Sequence, residues 1–483
     1  MKYFNKIIPV LLSVGLFALG SCKKQLDTFP QTSLVEINTF DDLQSALRGA
    51  YDGFQSNNYY GNPAASGTAS GWSALPELMG DDFIEAFESL GNWNIMSEMI
   101  YAADNTQAAA LFVQPYEIIS RANNVLNSLA KFENGVHANE VMQIKAQALA
   151  IRALAHFDLM RYFAPDFDRN SNSPGVPYVT IFDAQNPFGN LPSRNTVKEN
   201  YDAVFKDLND ALDAYNSAGD LGDNPQRYYI DETVIHAIKA RVSYYAGLWS
   251  DVITDATAAL NERPVGDAND YIYTFLNPAS STSESDPPTE VYWAIPSDGT
   301  FRPGGAISGT NPAYRVTAAM SSVLQNLGGV YVNSNINRFN VAGIGGIQRT
   351  LCWKYPGIRS FKAFRAGEIL LMRAEAKQRI GNSTALDDLN ELRMNRGVAT
   401  GSETGTALLN AILLLRRAEL LGEGHRWFDI RRTSRTILRA ECGTAGGSRA
   451  ENCSISSSSR SWTFPIPFNE IKVNPNLTQN NGY

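Results

Sequence analysis

The chain has 483 residues, 44% apolar and 11% aromatic, which is ample for a large buried core. It carries 41 basic and 49 acidic side chains, a formal charge of −8. No basic patch dominates, which argues against nucleic acid as a partner.

The N-terminus opens with Lys2 and Lys6 and continues into an apolar run at 7–19, IIPVLLSVGLFAL. That run is short for a membrane span and has the layout of a secretory signal. It ends at Leu19, Gly20, Ser21 and Cys22, small residues directly before a cysteine, as in a bacterial lipobox. On this reading residues 1–21 are a signal peptide and Cys22 is the acylated first residue. The alternative is plain secretion with an incidental Cys22. Several acyl chains give a stable anchor, because each buried CH₂ contributes roughly 0.8 kcal/mol. No later stretch reaches about 18 uninterrupted apolar residues, so the mature chain is expected to be anchored to a membrane without spanning it.

Leu43, Ala46, Leu47, Ala50, Tyr51 and Phe54 recur at helical spacing and predict a helix over 41–55. Residues 57–94 turn irregular, with Trp72 and Trp93 among Asn, Gly, Ser and Pro. Helices are expected over 105–132 and 139–163, the second with Ile144, Ala148, Ile151, Leu154, Phe157 and Tyr162 as its apolar stripe. Three more fall in 197–215 and 231–261. The stretch GLWSDVITDATAALNERP at 247–264 resembles the second half of a tetratricopeptide repeat. Ala256 and Ala259 would let two helices approach closely, although Val252 stands where alanine is commoner. A second pair is expected over 364–397, turning at Gly381. Antiparallel pairs of this kind bury their apolar faces only by stacking. The expected class is therefore mainly α, a tetratricopeptide-like helical-pair scaffold.

Residues 265–359 are rich in Gly, Ser, Pro and Asn. They contain one strand-like segment, EVYWAIP at 290–296, in which Trp293 alternates with Val291 and Ile295 and reads as core. A long irregular, partly β insertion on a helical scaffold is the expected ligand-binding part. Residues 442–483 are irregular too. Cys442 and Cys453 lie close together outside the reducing cytosol, so a local disulfide is plausible, which leaves Cys352 as a buried apolar residue.

The four histidines, His137, His156, His236 and His425, form no H-E-x-x-H and no close cluster with cysteine. His156 and His236 read as packing residues, and neither metal nor cofactor is expected. DFDRNSN at 166–172 begins like a calcium loop, but Ser171 replaces the needed glycine and Pro177 the bidentate glutamate. GDDFIEAF at 80–87 offers Asp81, Asp82 and Glu85. A glycosidase needs two carboxylates facing each other across a bond, which adjacent aspartates do not supply. A helix cap or a hydrogen-bonding rim suits them better. No Walker loop, G-x-S-x-G or dinucleotide fingerprint occurs.

Aromatics are more suggestive. Tyr59, Tyr60, Trp72, Phe83, Phe87 and Trp93 fall in one irregular stretch; Phe301, Tyr314 and Tyr331 fall in the other. Sugar rings pack their C–H faces on aromatic rings while hydroxyls need Asn, Asp and Arg nearby, for which Asp81, Asn92, Asn94 and Arg302 are available. The competing reading is that these rings pin long loops to the scaffold. The ligand-binding candidates are Trp72, Asp81, Trp93, Asn94, Phe301 and Arg302.

Five segments occur in order: CKKQLDTFPQT; AQALAIRALAHFDLMRYFA followed by GVPYVT; RAGEILLMRAEAKQRIGN leading to ALDDLNELRMNRG; RRAELLGEGHRWFDIRR; and FPIPFNEIKVNPNLTQNNGY. Together they resemble the SusD/RagB family of outer-membrane nutrient-binding lipoproteins. The resemblance implies a lipidated tether at 22–40, an N-terminal SusD-like region at 41–264, the insertion at 265–358 and a C-terminal SusD/RagB region at 359–483. It implies a cell-surface protein, lipid-anchored in the outer membrane, that binds glycan or another oligomeric nutrient and caps a SusC-like TonB-dependent barrel. It implies no enzyme; a surface glycoside hydrolase on a helical scaffold is the alternative, and a scaffold without a small ligand a third reading. It also makes RRAELLGEGHRWFDIRR a structural joint, with Gly422 and Gly424 ending a helix, Trp427 and Phe428 as anchor, Asp429 pairing with Arg432, Glu423 near arginines, and His425 orienting backbone or carboxylate groups.

Overall fold

The structure is a computed structural model. It describes residues 36–483 except 57, 61–70, 72, 87–88, 90, 92, 182, 184–185, 187–188, 190, 220–226, 277–289, 297–304, 309–311, 344–347, 358 and 443–449. Cys22, Trp72, Phe87, Asn92, Phe301 and Arg302 lie outside the described residues.

The first helix, α1 (Phe40–Asp52), begins where Thr39 and Asp42 form a reciprocal capping box, which satisfies two otherwise orphan N–H groups. The 57–94 stretch holds a short helix α2 (Leu75–Leu78), a strand β1 (Phe83–Glu85) and the start of α3 (Asn94–Ser97). Then come α4 (Thr106–Ser128), α5 (Ala138–Phe163), α6 (Val197–Ala218), α7 (Glu232–Ala246) and α8 (Trp249–Glu262). The insertion is more regular than its composition suggests. It contains α9 (Ala268–Leu276), β2 (Val291–Ile295), β3 (Tyr314–Val316), α10 (Ala318–Leu327), β4 (Asn337–Ala342) and β5 (Gln348–Cys352). The C-terminal region runs through β6 (Phe361–Arg365), α11 (Ala366–Arg379), α12 (Ala385–Asn395), α13 (Gly405–Glu419), α14 (Arg426–Arg432), β7 (Ile437–Leu438), β8 (Ser454–Ile455) and α15 (Phe468–Val473).

The helices stack in sequence: α1 on α4, α4 on α5, α5 on α6, α7 on α8, α8 on α11, and α11 on α12 and α13. Gly247, at φ 71°, ends α7 in the left-handed region, and its N–H donates back to that helix. Ala256 and Ala259 on α8 are wholly buried, as close helix approach requires. Every residue from Ala148 to Phe163 is buried, so the second half of α5 is an internal helix and not an amphipathic one. Two of its polar residues are matched inside the stack. Arg152 holds Asp207 of α6 with two bonds of 2.7 Å, and His156 stacks on Tyr178 with ring centroids 3.8 Å apart.

Two sheets tie distant segments together. A four-stranded sheet has the order β1-β3-β5-β4, so the first irregular stretch is hydrogen-bonded directly to the insertion. The register pairs Phe83 with Val316, Ile84 with Arg315 and Glu85 with Tyr314. The second sheet pairs β2 with β6 and carries Trp293, which is buried and donates its indole N–H to the Tyr228 carbonyl at 3.1 Å. Among the described residues, no helix is long and apolar enough to cross a membrane.

Candidate functional site

Buried charges of both signs converge at the joint between α13 and α14. Gly422 and Gly424 take φ of 80° and 82° and turn the chain between the two helices. A Cβ on Gly422 would also stand 3.0 Å from the Cys352 sulfur. Around this turn three cations, Lys354, Arg365 and Arg396, face three carboxylates, Glu290, Glu419 and Glu423, all of them buried. Lys354 Nζ meets Glu423 at 2.7 Å, and Arg365 Nε meets the same carboxylate at 2.7 Å. Arg396 Nη2 reaches Glu290 at 2.8 Å and Glu419 at 2.9 Å. The Tyr331 hydroxyl donates to Glu419 at 2.7 Å. Burial alone would raise the Glu419 pKa; Arg396 and Arg365 outweigh it and hold the carboxyl far below its usual range. Lys354, Tyr331 and Glu290 come from the insertion and Glu419 and Glu423 from the joint, so the network clamps one to the other.

His425 is buried at this joint. Its Nδ1 lies 3.9 Å from Glu368, too far for a hydrogen bond, and has no hydrogen-bond partner among the described residues. Burial, with Arg241, Arg416, Arg161 and Arg365 nearby, pushes its pKa well below the ordinary value, so the ring is neutral. The adjoining space is only about 10 Å³, room for roughly one water. It is the backbone N–H of His425, not the ring, that organises the joint: with the N–H of Gly424 it donates to Glu77 at 2.9 Å. Glu77 is itself pushed up to about 7 by burial and by the charge of Asp82.

The expected pairing of Asp429 with Arg432 is not made. Asp429 takes Arg416 of α13 at 2.9 Å, while Arg432 turns to Glu375 on α11 at 3.0 Å and to the Tyr244 hydroxyl at 2.6 Å. Spacing within α14 allowed the local pair, but a helix that short packs both side chains against its neighbours.

Asp81 lies in an ion pair with Arg426, at 2.6 and 2.9 Å, with Arg417 close by. Burial would raise its pKa, and the two arginines more than compensate, so it stays ionised. Asp82 takes Arg417 Nε at 2.6 Å. These pairs fasten the first irregular stretch to the joint. Trp93 is buried edge-on against Tyr314, with centroids 6.3 Å apart. Asn94, with its amide nitrogen turned inward, faces the Glu85 carboxylate at 2.7 and 2.9 Å. Trp93, Asn94 and Glu85 are thus brought together at the β1–β3 seam, with Asp81 at its other end. Tyr59, Tyr60, Phe83, Tyr314 and Tyr331 are buried as well; the first two donate their hydroxyls to Asp158. Among the described residues these six aromatics are packed into the protein and present little surface.

The Asp166 and Asp168 carboxylates accept from Asp168 N–H, Ser171 Oγ and Asn170 N–H, closing a local turn. No group of three His, Cys, Asp or Glu suited to a metal occurs among the described residues. Cys442 and Cys453 are disulfide-bonded with Cα atoms 5.2 Å apart, and Cys352 is a buried free thiol. The charge clamp was missed by the sequence reading. No local pattern marks it, because its charged residues are scattered from Glu290 to Glu423 and meet only in the fold.

A stack of helix pairs with an insertion clamped to one face defines a helical-repeat scaffold protein. Residues 33–218 match a family model described as "Starch-binding associating with outer membrane", and 354–483 match the SusD family model. Both are SusD models and together they take in more than half of the chain. The chain belongs to the SusD/RagB family. It is 23% identical to SusD-like protein P2 of Formosa agariphila, over 92% of this chain and 93% of that protein. Among solved structures it resembles a putative sugar-binding protein from Bacteroides vulgatus, with TM-score 0.77, 24% identity, and coverage of 93% of this chain and 100% of that one. A SusD superfamily protein from Bacteroides thetaiotaomicron gives TM-score 0.75 and 22% identity, over 92% and 100%.

Proposed function

We propose that this protein is a lipid-anchored nutrient-binding subunit of the outer membrane. It holds glycan or another oligomeric nutrient and delivers it to a SusC-like TonB-dependent barrel, without turning it over. The observation that carries the reading is the family match at both ends of the chain, one part of it described as starch-binding and associating with the outer membrane. The lipobox-like LGSC at 19–22 supports an acylated Cys22 and attachment by lipid, facing the cell surface. The two irregular stretches joined by β1 and β3 supply the ligand face. Trp72, Phe301 and Arg302 are proposed to touch the ligand, and Asp81, Trp93 and Asn94 to hold the β1–β3 seam.

The test uses a soluble form of residues 23–483, titrated by calorimetry against polysaccharides and oligosaccharides while the same mixtures are assayed for new reducing ends. Heat without new ends supports the reading. New reducing ends overturn it in favour of a hydrolase. Affinity purification of the full-length lipoprotein from detergent-solubilised outer membranes tests the partner; a co-purifying β-barrel is expected.

A further inference from the structure

A cleft of about 390 Å³ opens between the outer face of α1 and the end of β2, lined in part by Arg48, Asp52, Gln55, Tyr51, Tyr229 and Trp293. None of its lining residues falls in 57–94. One wall is aromatic and fixed. The Tyr51 hydroxyl donates to Gln147 at 2.7 Å and accepts the Ile230 N–H at 2.9 Å; the Trp293 indole is held by the Tyr228 carbonyl. Tyr229 packs edge-on against Tyr51, with centroids 5.1 Å apart, and remains 38% exposed.

The rest of the lining is mainly polar. Asp52 sits in the last turn of α1, where a carboxylate opposes the helix dipole and no basic residue offsets it. It makes no hydrogen bond or ion pair to any described residue, and its side chain caps nothing in the following turn. Among the described residues the Arg48 guanidinium hydrogen-bonds to Ser45, at 3.0 Å, and enters no ion pair. Gly49 lies between them, in mid-helix, where glycine is less favourable than alanine. A Cβ there would meet nothing within 4 Å, so packing does not require the glycine. The bare backbone instead leaves room in the cleft.

We propose that this cleft is a second saccharide-binding site, seating a neutral sugar ring on Tyr229 with its hydroxyls bonded by Arg48, Asp52 and Gln55. An aromatic face with planar polar groups in the same cleft is what a sugar ring requires, and a pre-fixed wall lowers the ordering cost of binding. The single positive and single negative side chain cancel, which favours a neutral ring over an acidic one. The proposal rests on the reading of the protein as a glycan binder.

The experiment titrates residues 23–483 with oligosaccharides of starch, β-glucan, fructan, mannan, xylan, alginate and pectin. The wild type is compared with Gly49→Leu, Tyr229→Ala and Asp52→Asn. Gly49→Leu fills the cleft and favours the helix, and Asp52→Asn removes a charge that opposes it, so neither threatens folding; Tm is recorded for all. For a neutral oligosaccharide, Gly49→Leu and Tyr229→Ala are each expected to weaken binding about tenfold, the size of one lost stack or hydrogen bond. Binding that survives Gly49→Leu unchanged overturns the cleft while leaving the glycan reading intact. Binding confined to alginate or pectin also overturns it. Silence of the wild type across the panel overturns both.

Discussion

Arg396 and Glu419 meet at 2.9 Å, and neither side chain has any exposure to solvent. Arg396 caps the C-terminus of α12 and Glu419 ends α13, and the same arginine reaches Glu290 at the base of the insertion. The pair thus sits at the centre of the clamp between scaffold and insertion. Removing one member leaves the other charged and dry, which costs far more than the intact pair contributes. Glu419→Gln is expected to lower the unfolding free energy by about 3–5 kcal/mol. Asp210→Asn, which breaks the exposed Lys206–Asp210 pair of α6, should stay close to wild type. Urea denaturation of the two variants side by side checks this; equal losses would refute the clamp.

His156 makes stability fall in acid. Its Nδ1 bonds the Arg152 carbonyl at 2.9 Å, so it is the donor, and its Nε2 accepts the Val179 N–H at 2.9 Å. The Nε2 bond requires the neutral ring, because a protonated Nε2 cannot accept. Burial lowers the folded pKa to about 3, against an ordinary value of about 6.5. Between those values the unfolded chain binds a proton that the folded chain refuses, so this contribution is complete above pH 6.5 and is lost as pH falls toward 3. His156→Gln should be less stable than wild type at pH 7.5, and the gap should narrow by pH 4. A gap that widens in acid would show that the histidine is charged when folded.

Asp81 fastens the 73–98 segment to α14 through Arg426. Asp81→Asn is expected to cost about 1–3 kcal/mol, because the arginine keeps its charge in a largely buried site. Hydrogen exchange should rise over 80–98 while α5 and α7 keep their protection. Protection unchanged in 80–98 would mean that the β1–β3 ladder holds the segment unaided.

The Cys442–Cys453 bond closes a loop with a sequence separation of 11. On the chain-entropy model a loop of that size contributes about 3 kcal/mol. Denaturation with and without reductant should differ by that order, and Cys442→Ser with Cys453→Ser should remove the reductant effect. A persisting effect would point to a different pairing.

Much of the scaffold was legible because helix packing leaves a local signature. The Leu43, Leu47, Ala50 and Tyr51 stripe is the buried face of α1, and Gly247 with Ala256 and Ala259 marks the α7–α8 pair. The insertion was less legible. Its strands are three to six residues long, too short for a clear alternation, and β3 finds both of its partners, β1 and β5, more than thirty residues away along the chain.

Sequence alone determined the helical repeats, the lipobox-like pattern of the N-terminal residues, and the family resemblance, because each is written in contiguous residues with a fixed period or order. Only the tertiary structure decided what the charged and aromatic residues do. Asp81, Asp429 and the tyrosines at 59 and 60 each had a plausible local or ligand-facing role, and each is matched instead by a partner from another part of the chain. A buried charge needs its counter-charge within a few ångströms in space and at no particular distance in sequence, so that pairing is fixed by packing alone.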